Sequence, residues 1–117
     1  MSSVVIYHNP RCSKSRATLQ LLEERGIHPE IVPYLETPPD ADALRGLIAA
    51  LGFDSARQLM RRGDDLYRQL DLDNPALDEA ALIDALAAHP SLIERPIVVN
   101  GPRARLGRPP QQVLEIL

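Results

Sequence analysis

Hydrophobic residues fall in short blocks along the chain, and their spacing changes from block to block. Val4 to Tyr7 is a β-branched and apolar run of the kind a strand buried on both faces shows, and Asn9-Pro10 is a turn that ends it. A helix is predicted to begin near Cys12, carried by Ala17, Leu19, Leu21 and Leu22, with Gly26 just past its end. Glu30-Ile31-Val32-Pro33-Tyr34-Leu35 reads as a second strand, its proline marking a sheet edge or a bulge. A helix joins the two strands, which predicts a parallel β-α-β unit.

Thr37-Pro38-Pro39-Asp40 stops that strand and caps the next helix, where Leu44, Leu47, Ile48 and Leu51 recur at i, i+3, i+4 and i+7 before Gly52. Ala56 to Arg62 reads as a short basic helix, broken at Gly63, and Asp64 to Leu70 as another short helical turn. Pro75 to Asp78 starts a further helix with Leu82, Ile83 and Leu86 on its inner side and His89-Pro90 at its end. Ile93 to Gly101 returns to strand character, Asn100-Gly101-Pro102 is a turn, and Ala104 to Gly107 is its hairpin partner. Pro109 opens a terminal helix carrying Val113, Leu114 and Leu117. The order predicts a thioredoxin-like α/β fold: a small mixed β-sheet flanked by helices, with a helical insertion in the middle of the chain.

At 117 residues the chain is expected to form one domain, 1–117, with a core that needs no staples. A single cysteine excludes an internal disulfide framework, and no stretch has signal-peptide or membrane-spanning character, so a cytoplasmic, reducing setting is expected. A net charge of -3 with three tyrosines and one phenylalanine argues against a general nucleic-acid binder. Eleven prolines punctuate short elements and form no low-complexity tract.

The candidate chemistry sits at Cys12. A cysteine in the first turn of a helix faces unpaired N–H groups and the positive end of the helix dipole, which favour the thiolate and also attract an oxyanion. Arg11, Lys14 and Arg16 add positive charge, and Arg16 lies about one turn further along the same face. A lone cysteine is more often a small buried hydrophobe. This one follows a strand and a turn, stands among three cations and has Ser13 and Ser15 for neighbours, which favours a reactive thiol. His8 reads either as a group that tunes Cys12 ionisation or carries protons, or as a polar strand-end residue. Ser15 reads either as a hydrogen-bond donor to the thiolate or as a helix-start residue. Arg57, Arg61 and Arg62 have the ordinary reading of a solvated face. His28 and His89 sit in a loop and at a helix end, and no spacing of histidine and cysteine suits a metal.

The run from His8 to Arg16 closely resembles the active-site signature of the glutaredoxin-coupled arsenate reductases, the ArsC family. Glu94 to Val99 resembles their second signature, and the likeness extends through Tyr34 to Pro39 and Arg105 to Pro109. It implies that Cys12 attacks arsenate, that Arg61, Arg95 and Arg108 bind the oxyanion and its product, and that the bond before Pro96 is cis. The adjacent Arg62 leaves the first of these arginines open by one position. The resemblance also implies glutathione as co-substrate, glutaredoxin as partner protein and no bound cofactor. Ser15 stands where a C-x-x-C motif would carry a resolving thiol, so Cys12 cannot close an intramolecular disulfide. Thr18 stands where the phosphatase-like arsenate reductases carry an arginine, which disfavours that class. Two alternatives remain: a glutathione-dependent thiol reductase of the same fold, and a regulator related to the Spx proteins that binds RNA polymerase. The latter typically pair two cysteines at the helix start.

Overall fold

The computed structural model describes residues 4–117 and divides into two compact units, one built from the chain through Thr37 together with Arg95–Leu117, the other from Pro38–Glu94. The first unit holds a four-stranded mixed sheet in the order β2-β1-β3-β4, from β1 (Val4–Tyr7), β2 (Glu30–Val32), β3 (Ile97–Asn100) and β4 (Arg103–Leu106). Strand β1 pairs in parallel with β2, Ile6 opposite Ile31, and antiparallel with β3, Ile6 opposite Val98. Strands β3 and β4 form the expected hairpin.

Helix α1 (Ser13–Glu24) is the crossover between β1 and β2, and Gly26 follows it at φ 76°, a conformation glycine adopts without a Cβ penalty. Val4, Ile6, Leu22, Val98, Val113 and Ile116 form the core of this unit. In β1 only Val4 and Ile6 are fully buried, so the strand alternates where its sequence reads as buried on both faces. Each such aliphatic side chain contributes about 1.5–3 kcal/mol by leaving water.

Two elements are shorter than predicted, for reasons of hydrogen bonding. Strand β2 ends at Val32 because Pro33 has no N–H to donate, and its carbonyl accepts the N–H groups of Glu36 and Thr37 to close a turn. Strand β3 begins only after the cis Arg95–Pro96 bond; a second cis bond joins Arg108 and Pro109. The C-terminal segment Pro110–Ile116 is a 3-10 helix. With three residues per turn it turns Val113 and Ile116 inward and leaves Leu117 exposed.

The second unit is helical. Helix α2 (Ala41–Leu51) is capped by the Asp40 carboxylate on the Ala43 N–H and closed by Gly52 in the left-handed conformation. It buries Leu44, Leu47 and Leu51, as its periodicity predicts. Helices α3 (Asp65–Gln69) and α4 (Glu79–Ala88) follow, α4 burying Leu82, Ile83 and Leu86. The expected basic helix is instead one 3-10 turn, Ala56–Leu59. Met60 then turns extended and bridges Ile93, with Arg61 N–H donating to Leu92 O at 2.8 Å and Glu94 N–H to Leu59 O at 2.7 Å. Arg57 belongs to no solvated face, because its guanidinium donates to the carbonyls of Leu72 and Asn74 at 2.9 and 2.6 Å. Among the described residues no helix is long and apolar enough to cross a membrane.

Candidate active site

Strand β1 delivers the chain to the turn, and the turn delivers Cys12 to the start of α1. The Asn9 side-chain oxygen accepts the Arg11 N–H at 3.0 Å and its carbonyl accepts the Cys12 N–H at 3.0 Å, an Asx-type closure that brings the chain into the helix. Cys12 is the N-cap, with extended backbone angles, and its carbonyl accepts the Arg16 N–H. Cys12 lies buried at the start of the helix, 9% exposed.

Two arginines from the hairpin side act on that sulfur. The Arg108 Nη2 lies 3.9 Å from Cys12 Sγ across 96 residues of sequence, and Arg108 Nε donates to the Arg95 carbonyl at 2.8 Å. Burial is the largest influence on the thiol and opposes its ionisation. The backbone N–H of Ser15, the charge of Arg95, the backbone N–H of Lys14 and the charge of Arg108 together outweigh it, and the thiol pKa falls below its ordinary value.

Arg108 is aimed from below by Gly107. The Gly107 N–H donates to the Pro96 carbonyl at 3.0 Å, and a Cβ built on Gly107 would lie 2.3 Å from Thr18 Oγ1 and 2.7 Å from Pro96 Cγ. Thr18 is fully buried and its hydroxyl donates to the Lys14 carbonyl at 2.8 Å. Strand end, helix and cis-proline therefore meet where only a glycine fits. The sequence reading missed Gly107 and Thr18 as members of the site. The one available signal was a glycine directly before the arginine of the Arg105 to Pro109 motif.

The supporting residues divide by role. The Ser15 hydroxyl lies 2.6 Å from His8 Nδ1 and accepts the Asn9 N–H at 3.0 Å, while it is the backbone N–H of Ser15 that acts on the sulfur. The Arg16 guanidinium reaches back to the Pro10 carbonyl at 2.9 Å and so braces the turn. His8 is 9% exposed; burial, then the Arg16 charge, lowers its pKa. His8, Asn9, Pro10 and Arg11 also line a cavity of about 210 Å³ with Pro33, Leu35 and Glu36.

The first unit thus brings together Cys12, Arg95, Arg108, Ser15, His8 and Arg16. Arg61 belongs to the helical unit, where its guanidinium lies 3.4 Å from the Asp64 carboxylate; the neighbouring Arg62 donates to the Arg57 carbonyl at 3.3 Å. Among the described residues no group of three or more histidine, cysteine, aspartate or glutamate side chains is placed to hold a metal ion. The arrangement suits covalent capture of a tetrahedral oxyanion: a thiol with a lowered pKa, the N–H groups at the start of a helix and the forked guanidinium of Arg108 lie together, with the charge of Arg95 acting on the same sulfur.

A family model described as the ArsC family matches residues 7–116. The chain is 60% identical over 114 residues to the uncharacterized protein YfgD of Escherichia coli, covering 97% of this chain and 96% of that one. It is 55% identical over 117 residues to an arsenate reductase of Neisseria meningitidis, covering both chains in full. A solved arsenate reductase from Vibrio cholerae superposes with a TM-score of 0.98 at 55% identity, covering 99% of this chain and 98% of that one.

Proposed function

The chain belongs to the ArsC family, and on that premise we propose that it is an oxidoreductase that reduces arsenate to arsenite through a covalent intermediate on Cys12. The observation that carries this reading is the approach of Arg108 to the Cys12 sulfur at the open end of α1. The Cys12 thiolate attacks arsenic, one arsenate oxygen takes a proton and leaves as water, and a sulfur–arsenic bond forms. Arg95 and Arg108 hold the remaining oxygens, their fixed charge and forked geometry matching a tetrahedral anion. Arg61 is the third oxyanion arginine on the strength of the family resemblance alone.

The chain has no second cysteine to supply the remaining electrons. On the family resemblance a glutathione thiol provides them: a sulfur–sulfur bond forms between glutathione and Cys12, the sulfur–arsenic bond breaks with its electron pair left on arsenic, arsenite departs, and Cys12 is left in a mixed disulfide. Glutaredoxin then returns Cys12 to the thiol by thiol–disulfide exchange. Such a cycle needs a reducing compartment, which is why the cytoplasm is the proposed location.

The test is NADPH oxidation coupled through glutathione reductase, with glutathione, glutaredoxin and arsenate present, and with arsenate omitted as control. Arsenate-dependent turnover that disappears in Cys12→Ser supports the proposal. Turnover that survives in Cys12→Ser removes the nucleophile. A Cys12 that reacts with alkylating agents yet gives no arsenate-dependent turnover points to a thiol reductase with another substrate.

A further inference from the structure

The cavity beside the Cys12 turn carries a charge pattern that capture of an oxyanion does not use. It lies wholly in the first unit, holds about 210 Å³ and has Pro10, Pro33 and Leu35 as apolar walls. Arg11 and Glu36 line it as well, one charge of each sign. Among the described residues neither side chain closes an ion pair, with the other or with a third group. Opposite charges that share a cavity without meeting leave both open to a ligand. Each is held through its own backbone: the Arg11 N–H donates to Asn9 Oδ1 at 3.0 Å, and the Glu36 N–H donates to the Pro33 carbonyl at 2.8 Å. Pro10 and Pro33 have φ fixed by their rings, so the walls are set before a ligand arrives.

We propose that this cavity receives the γ-glutamyl end of glutathione, its α-carboxylate meeting Arg11, its α-ammonium meeting Glu36 and its methylenes covering Pro10, Pro33 and Leu35. The assignment rests on glutathione being the thiol of the proposed cycle. Size agrees, because a volume below the roughly 300–1,000 Å³ of drug-sized pockets suits a group as large as one amino acid. Reach agrees too. Asn9, Pro10 and Arg11 directly precede Cys12, so this wall stands within about 10 Å of chain from the nucleophile, a span an extended tripeptide thiol covers. The glycyl end of glutathione fits less well, since it offers a carboxylate alone and Glu36 repels it. Arsenate is disfavoured on the same ground. Leu35, 44% exposed, supplies apolar surface for the methylenes to cover.

Thiol–disulfide exchange on the full chain tests this without arsenate or glutaredoxin. The Cys12 thiolate attacks one sulfur of glutathione disulfide, a mixed disulfide forms, and the second glutathione leaves as a thiolate. The rate, followed by intact-protein mass, is divided by that with cysteinylglycine disulfide, which lacks the γ-glutamyl group. Changes in Cys12 ionisation cancel in this ratio. Arg11→Gln and Glu36→Gln should each lower it roughly 3-fold. Glu36→Gln is the decisive variant. Glutathione disulfide is a net anion, so simple repulsion by Glu36 predicts that its removal raises the ratio, whereas an ammonium partner at Glu36 predicts a fall. A ratio that rises or stays unchanged in Glu36→Gln overturns the proposal, as does one unmoved by Arg11→Gln. Both side chains are exposed, so both variants are expected to fold. Loss of arsenate turnover with the ratio intact strikes the reductase reading alone, and an indifferent ratio with turnover intact strikes this cavity alone.

Discussion

Gly107→Ala is the sharpest test of how the fold aims Arg108. The added methyl would begin 2.3 Å from Thr18 Oγ1 and 2.7 Å from Pro96 Cγ, and neither can yield freely. Thr18 is buried in α1 and tied to the Lys14 carbonyl, and Pro96 is a closed ring. Restoring ordinary van der Waals contact requires the segment to retreat by about 1 Å. Overpacking of this kind costs about 1–3 kcal/mol, which at this chain length lowers Tm by roughly 4–15 °C. The same retreat carries the next residue with it. Arg108 Nη2 then moves off a 3.9 Å approach to the sulfur and Nε off its 2.8 Å bond to Arg95. A misplacement of about 1 Å in a reacting site can lower turnover on the order of 100-fold. The assay is arsenate-dependent NADPH oxidation beside a thermal melt. Thr18→Ala in the same chain removes the closest clash and should recover part of both losses. A Gly107→Ala protein with unaltered Tm and unaltered kinetics refutes the argument that close packing at Gly107 positions Arg108.

Arg108→Lys keeps the charge but loses the forked donor and the Nε bond to Arg95, so kcat/KM for arsenate should fall about 10-fold or more; an unchanged value removes Arg108 from oxyanion binding. Because the folded-state pKa of Cys12 is lowered, alkylation by iodoacetamide should persist to lower pH than for an ordinary thiol, and Arg108→Gln should move its midpoint upward. Ionised Cys12 stabilises the fold above the unfolded thiol pKa, and this contribution is lost as pH falls through the folded pKa. A midpoint unmoved by Arg108→Gln contradicts the electrostatic role given to that arginine. In the helical unit, Glu79 accepts the Ala56 N–H at 2.8 Å and the Ser55 hydroxyl at 2.7 Å, so Glu79→Ala should cost about 1 kcal/mol in urea unfolding; no shift in the midpoint means that the cap contributes nothing.

What the sequence determined by itself is local. Asn9-Pro10 ends a strand and Cys12 begins a helix because turn chemistry and capping are decided within a few residues, and the i, i+3, i+4 spacing of Leu44 to Leu51 marks a buried helix face wherever that helix goes. The motifs around Arg95 and Arg108 were legible as residues, though the distance between Arg108 and Cys12 was not. Tertiary structure decided the rest. The meeting of groups 96 residues apart depends on the hairpin register and on the space left at Gly107, and no local pattern encodes either. Arg57 became a pin for the loop at Leu72 and Asn74 because buried carbonyls needed donors. The Ser15 hydroxyl turned to His8 for the same reason, since a polar group closed off from water takes the partner that the packing around it supplies.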